Sequence, residues 1–334
     1  MAETLQCHVA KELLRLKAPF RISGYTFETW PVVTVTLRRH NLIGRGEASG
    51  VYYLNDTVEK IVGQLEELRD RLPFSLTRAD VRQMLPPGGA RNALDCALWD
   101  LESRELRTPV WQLAGVREPK ALVTVYTLSA DPPDGVARNA KALQSPKAIK
   151  LKLTGDTADD IKRIENVRHT HSDTWLGVDA NQGFTRDTLK PLIPVLSACK
   201  VSLLEQPFPR GRESDMDGLA LPVPTAADES CQDLSEMEAL VGRFDLVNIK
   251  LDKCGGLTEA LMMHRRAREL GLGVMVGNMM GTSLSAGPGF VLGQLCDVVD
   301  LDNALGLAAD RDPPIRYADG EVWVPPEAWG AGKA

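Results

Sequence analysis

Five charged residues stand near the ends of apolar, strand-like runs in the second half of the chain, and their types suit acid–base chemistry around a cation. Lys152 lies in AIKLKLT, Asp179 in WLGVDAN, Glu205 in VSLLEQP, Asp228 in VPTAADES and Lys250 in FDLVNIKLD. The successive steps are 27, 26, 23 and 22 residues. One strand, one helix and two loops take roughly 25 residues, so the pitch is that of consecutive βα units. In a closed β/α barrel the carboxyl ends of consecutive strands meet at one mouth. Three carboxylates are therefore expected to converge between two lysines.

Lys150 and Lys152 alternate with Ile149, Leu151 and Leu153, so the two lysines share one face of their strand. Helices cover the outside of a barrel strand, which turns its polar face to the interior or the mouth. Ammonium groups there are costly unless anions compensate them. Lys250 and Asp252 in NIKLDK repeat the alternation on the opposite side of the mouth, with Asp252 expected to support the ligands from behind. Lys253 is out of phase and reads as structural or solvated. Asp179, Glu205 and Asp228 could each cap a loop or helix, yet three of them at successive strand ends would crowd together unpaired. Hard oxygen donors without histidine or thiolate favour Mg²⁺ over zinc. Asn181 shares the face of Asp179 and is expected beside the ligands, whereas Gln206 points away and anchors the turn before Pro207.

A cation between two lysines suits removal of a proton from the carbon next to a carboxylate. That proton becomes acidic once the charge of the resulting enediolate is neutralised. Lysine must be neutral to act as a base, and a nearby divalent cation and second ammonium lower its pKa. One lysine on each face allows reprotonation from the side opposite to removal, which inverts the carbon without a redox cofactor.

The rest of the chain must supply the frame. With 334 residues, 43% hydrophobic and 25% charged, it has ample core for one large and one smaller domain. A net charge of −6 without a basic cluster argues against nucleic-acid binding. No stretch approaches membrane-spanning length and no signal-peptide pattern opens the chain, so a cytoplasmic location is expected. Six cysteines without metal spacing read as small buried hydrophobes. Alternating runs between residues 21 and 53 predict two or three antiparallel strands. Residues 56–72 and the run ARNALDCALWDLESREL predict two helices. Together they make an α+β capping domain over residues 1–118. From residue 121 eight strand-like runs alternate with helical ones, which predicts a β/α barrel over 119–305. The tail, 306–334, is expected to pack back on the capping domain.

The motifs GGARNALDCALWDL, KLK, VDAN, LLEQP, ADES, VNIKLDKCGGLTEAL and DLD extend over almost the whole chain. By them the chain resembles the enolase superfamily, its muconate-lactonising-like subgroup, and most closely the dipeptide epimerases of the L-Ala-D/L-Glu epimerase type. Lysine bases acting with Mg²⁺ are that superfamily's known chemistry. The resemblance implies Lys152 and Lys250 as acid/base catalysts on opposite faces, with Lys150 stabilising the enediolate. It implies one Mg²⁺ per subunit on Asp179, Glu205 and Asp228. It also implies Asp300 and Asp302 as the site for a dipeptide's α-ammonium, a role that alternating carboxylates at a strand end suit on their own. The implied reaction inverts the α-carbon of the C-terminal residue of a small dipeptide such as those released in peptidoglycan recycling.

One departure concerns the segment FRISGYTFETW, where Gly24 and Phe27 stand at positions that are commonly arginine in relatives acting on Ala-Glu. Tyr25 and Phe27 could instead make an apolar lid, or simply pack in the capping domain. Two other readings remain. A lyase or cycloisomerase, such as o-succinylbenzoate synthase or muconate cycloisomerase, shares the lysines and ligands, but its substrate has no ammonium for Asp300 and Asp302. A non-catalytic structural or binding barrel would need neither. Apolar helices are compatible with a homo-oligomer.

Overall fold

The computed structural model describes residues 5–22 and 25–332, apart from the side chains of residues 21, 22 and 25. The amino-terminal part is a three-stranded antiparallel sheet of β1 (Gln6–Ile22), β2 (Tyr25–Arg39) and β3 (Leu42–Ala48). Strand β1 begins well before the strands expected from residue 21 onward. Lys11, Glu12 and Arg15 interrupt its apolar alternation, so the pattern is weak. The β1–β2 ladder breaks between Arg15↔Thr29 and Phe20↔Phe27, which leaves residues 16–19 opposite Glu28 alone. Pro19, lacking an N–H, cannot donate to that ladder.

Helix α1 (Val58–Arg69) starts where expected, at Thr57, whose Oγ1 accepts from the N–H of Lys60 at 3.3 Å. Helix α2 (Arg78–Met84), shorter than two full heptads and absent from the sequence reading, is held by a Thr77/Asp80 capping box. Helix α3 (Gly89–Glu105) lies directly on β3. A Cβ at Gly44 would stand 2.2 Å from the Ala97 carbonyl oxygen, and one at Gly46 2.1 Å from that of Ala93. Only glycine permits this approach, and the shared core includes Val33, Val35, Leu94, Leu98 and Leu101.

After a two-residue strand, β4 (Leu122–Val123), eight parallel strands follow in sequential order. They are β5 (Val125–Leu128), β6 (Ala148–Lys152), β7 (Trp175–Asp179), β8 (Leu203–Glu205), β9 (Thr225–Ala227), β10 (Leu246–Lys250), β11 (Gly273–Gly277) and β12 (Val298–Asp300). These are the eight runs that the sequence marked. The edges β12 and β5 meet through a side chain: Thr124 Oγ1 accepts from the N–H of Leu301 at 3.0 Å. Helices such as Thr157–Thr170 and Leu257–Glu269 cover the outside. The connections after β8 and β9 carry only 3₁₀ turns, Glu213–Met216 and Leu234–Leu240, in keeping with the weak helical pattern after VSLLEQP.

The tail divides between the two parts instead of packing on the capping sheet alone. Strands β13 (Arg316–Ala318) and β14 (Glu321–Trp323) extend β4, whose edge β14 covers. Further on, Trp329 Nε1 donates to the carbonyls of Arg45 and Cys96 at 3.0 and 3.2 Å, which ties the tail to β3 and α3. Trp329 is 4% exposed. Replacing it with alanine is expected to cost about 3–5 kcal/mol, read as a lowered urea midpoint. An unchanged midpoint would show that this anchor is dispensable. Among the described residues no helix is long and apolar enough to cross a membrane.

Candidate active site

Strand register alone gathers the charged residues. Lys152 is the Cα partner of Asp179, Asp179 of Glu205, and Glu205 of Ala226, two residues before Asp228. Partners on adjacent strands lie about 4.8 Å apart. On the other side Lys250 pairs with Gly277, and Gly277 with Asp300. Lys152 on β6 and Lys250 on β10 are four strands apart in an eight-stranded barrel, hence across the mouth from each other. Gly277 makes room for this: a Cβ there would lie 3.0 Å from Lys250 Cε and 2.8 Å from Asn248 Oδ1.

The carboxylates of Asp179, Glu205 and Asp228 are buried and bring one oxygen each within 4.8 Å of the others. Lysines neutralise them. Lys150 Nζ lies 2.8 Å from Glu205 Oε2, 3.2 Å from Asp179 Oδ2 and 2.7 Å from Asp300 Oδ2. Lys152 Nζ meets Asp179 Oδ2 at 2.6 Å, and Lys250 Nζ meets Asp228 Oδ2 at 2.7 Å. Burial opposes charge on Asp179, Glu205, Asp228, Lys150 and Lys250, and opposite charges win at all of them but Glu205. Lys152 and Lys150 hold the Asp179 pKa down at about 2 against its burial. Asp228 is likewise lowered, by Lys250 and Lys253. Glu205 is raised, by burial and by Asp179. Lys150 and Lys250 are raised despite burial, by Asp300 and Asp228 respectively among other carboxylates. In this arrangement the ammonium groups themselves occupy the carboxylate oxygens, and that holds Lys150 and Lys250 in the charged form. A divalent cation would compete for those same atoms.

The opposite oxygen of each carboxylate is tied outward. Asp179 Oδ1 accepts from the N–H of Asn181 at 2.9 Å. Glu205 Oε1 accepts from Asn248 Nδ2 at 2.8 Å. Asp228 Oδ1 accepts from Lys253 Nζ at 2.6 Å, and the same ammonium donates to the carbonyls of Asp228 and Asn248. The donor set fits Mg²⁺: hard, anionic, exclusively oxygen, and with one oxygen of each carboxylate turned inward.

In this outer layer Asn248 was missed, and Lys253, read as structural or solvated, proves structural and buried. Asn248 shares the inward face of Lys250 by simple alternation, so its signal was present. The direction of Lys253 toward Asp228 had no signal, because the strand ends at Lys250 and residues Leu251–Cys254 form a helical turn, where period-two reasoning fails. The same turn corrects Asp252. Its Oδ1 accepts from the N–H groups of Ser49 and Gly50 at 3.0 and 3.1 Å, so it joins the barrel to the end of β3 and does not support the ligands. Burial, against those bonds, pushes its pKa up to about 7. Asn181 does stand beside the ligands, through its backbone; its Nδ2 reaches Glu229 Oε1 at 3.5 Å. Gln206 anchors its turn as expected, through Phe208, Ser230 and Asp228.

A cavity of about 480 Å³ opens above these groups. Lys150, Lys152, Lys250, Asp228, Asp300 and Asp302 form its floor and one side. Burial and then Asp300 push the Asp302 pKa up to about 6, although the Thr127 N–H donates to Asp302 Oδ2 at 2.6 Å. Glu229, unnoticed in the sequence, also lines the cavity, its pKa raised to about 8 by burial and by Asp228. Trp30, Tyr52, Tyr53, Met279 and Met280 make an apolar wall, and Leu16–Phe20, including the bulge of β1, roof it. Of the two lid candidates, the Tyr25 side chain lies outside the described residues. Phe27 is not on the cavity surface; its ring packs 4.5 Å from Trp30 and 5.7 Å from Tyr52, behind the wall. The bulge brings Lys17 to the roof, where Nζ donates to the Leu305 carbonyl at 2.9 Å.

The two halves also match known families. Residues 4–115 match the mandelate racemase/muconate lactonizing enzyme N-terminal domain, and residues 135–333 the enolase C-terminal domain-like family. The chain belongs to the mandelate racemase/muconate lactonizing enzyme family. Within that family it is 34% identical to the L-Ala-D/L-Glu epimerase of Escherichia coli K12, over 94% of this chain and 98% of that one. It is 37% identical to an N-acetyl-D-glutamate racemase of a Pseudoalteromonas species, over 71% of this chain and 75% of the relative. Among solved structures, an enolase family member from Agrobacterium tumefaciens, with homology to dipeptide epimerases and L-Ala-L-Glu bound, superposes with a TM-score of 0.94. That pair shares 36% identity over 98% of this chain and 100% of the other. Other solved family members hold Mg²⁺ and a dipeptide.

Proposed function

We propose that the protein is a Mg²⁺-dependent dipeptide epimerase that inverts the α-carbon of the C-terminal residue. The observation that carries this reading is the pair of lysines, Lys152 and Lys250, facing one another across a carboxylate triad with Asp300 and Asp302 alongside. Asp179, Glu205 and Asp228 would hold the metal. When bound, Mg²⁺ neutralises the negative charge that develops on the substrate carboxylate as the α-proton leaves. Lys152 and Lys250 take up and return that proton at Nζ on opposite faces of the carbon. Lys150, bonded to three carboxylates, stays charged and faces the developing oxyanion. Asp300 and Asp302 receive the dipeptide ammonium and so orient the α-carbon between the lysines. The wall of Trp30, Tyr52 and Met279 accepts an apolar second side chain, whereas among the described residues of the roof Lys17 offers a cation to an acidic one.

The test is deuterium incorporation from D₂O into a set of L-Ala-L-Xaa dipeptides with Mg²⁺, followed by mass spectrometry. Label is expected at one carbon per dipeptide, with the configuration inverted. Chelating the metal with EDTA is expected to reduce incorporation to background, and added Mg²⁺ to restore it. Folded, Mg²⁺-supplied protein that labels no dipeptide would remove the epimerase reading.

A further inference from the structure

The three ligand carboxylates share a pattern that goes beyond their identity. In each, one oxygen faces the mouth and the other is held from outside by a donor on the protein. For Asp179 the donor is a backbone N–H, fixed by the chain itself. For Glu205 and Asp228 the donors are side chains, Asn248 and Lys253, which substitution can remove. Lys253 has no exposed side-chain surface, and its ammonium also donates to two carbonyls, so it cannot swing away. Asn248 is fully buried.

A carboxylate with one oxygen already engaged offers a cation one atom instead of two. Mg²⁺ requires near-octahedral coordination and takes single oxygens, whereas Ca²⁺ takes six to eight and readily binds both oxygens of a carboxylate. We propose that Asn248 and Lys253 are positioning residues that keep Glu205 and Asp228 as one-oxygen ligands, and thereby make the site selective for Mg²⁺ over Ca²⁺. This rests on the assignment of the triad as the metal site. Removing either donor frees a second oxygen, which helps the larger ion and leaves the smaller one with a poorly oriented ligand.

The experiment is calorimetric titration of the protein with Mg²⁺ and, separately, Ca²⁺, for the wild type, Asn248→Leu and Lys253→Met, with circular dichroism to establish folding. The wild type is expected to bind Mg²⁺ more tightly. Each variant is expected to lose about 10-fold or more in Mg²⁺ affinity, the usual effect of losing a partner of a metal ligand. Ca²⁺ affinity should hold or rise, so that the ratio of Kd for Mg²⁺ to Kd for Ca²⁺ rises about tenfold or more. Loss of mere structural support would weaken both ions equally and leave that ratio unchanged, which overturns the proposal. A wild type preferring Ca²⁺ also overturns it, whether or not the variants fold. A wild type that binds neither ion removes the metal-site assignment itself, a distinct outcome.

Discussion

Lys152→Ala is expected to suppress epimerisation in both directions yet leave proton exchange intact for substrate of one configuration. In the proposed mechanism inversion needs both lysines, one to remove the proton and one to return it. Exchange needs only the lysine on the face where the proton sits. With Lys152 and Lys250 on opposite walls, each alanine variant retains the face of the other. Turnover should fall by about 10²–10⁴-fold, the usual worth of a general base. Lys250→Ala should show the complementary behaviour, exchanging the other configuration. Proton NMR in D₂O on separate L,L and L,D dipeptides reads this directly. A variant that still exchanges both configurations would mean that a single base serves both faces, contrary to the geometry.

Acylating the amino group of the dipeptide is expected to reduce kcat/KM by about 10⁴-fold, the penalty when a site built around a polar group meets a substrate lacking it. Asp300 and Asp302 stand close enough for the charge of Asp300 to raise the pKa of Asp302. An ammonium between them relieves that repulsion; an acyl amide leaves both carboxylates without a cation from the substrate. Comparing L-Ala-L-Xaa with its N-acetyl form, and both with N-acetyl amino acids, measures the effect. Preferred turnover of N-acetyl amino acids would move the protein to racemisation of N-acetylated substrates, as the name of its Pseudoalteromonas relative, an N-acetyl-D-glutamate racemase, has it.

The barrel was legible in the sequence because its strands are short, apolar and closed by charges at a steady pitch. Once Lys152, Asp179 and Glu205 are placed on adjacent parallel strands, register makes them neighbours without any further information. Reasoning by alternation failed where the strand stopped. Asp252 and Lys253 lie in the turn after β10, and their directions follow from helical geometry: one reaches the capping domain and the other returns to Asp228. The capping domain was less legible. Charges in β1 obscure its alternation, and its bulge depends on pairing with β2, which no local pattern reports. Phe27 was a fair candidate for the lid by position, but the packing of its ring against Trp30 decides its place.

The roof of the cavity is fastened by main-chain groups. The Lys17 N–H donates to the Gly306 carbonyl and the Ala308 N–H to the Arg15 carbonyl, both at 2.8 Å, with Leu16 and Leu307 bridged between them. Peptide groups are common to every residue, so these hydrogen bonds do not depend on which side chain stands at 17 or 306, although they refuse proline at 17 and 308, and Leu307 remains a core residue. The side chain that Lys17 places over the cavity is thus free to diverge while the closure that holds it persists. Such a roof is evolvable: lineages can trade one ligand for another at this edge without redesigning the acid–base machinery below.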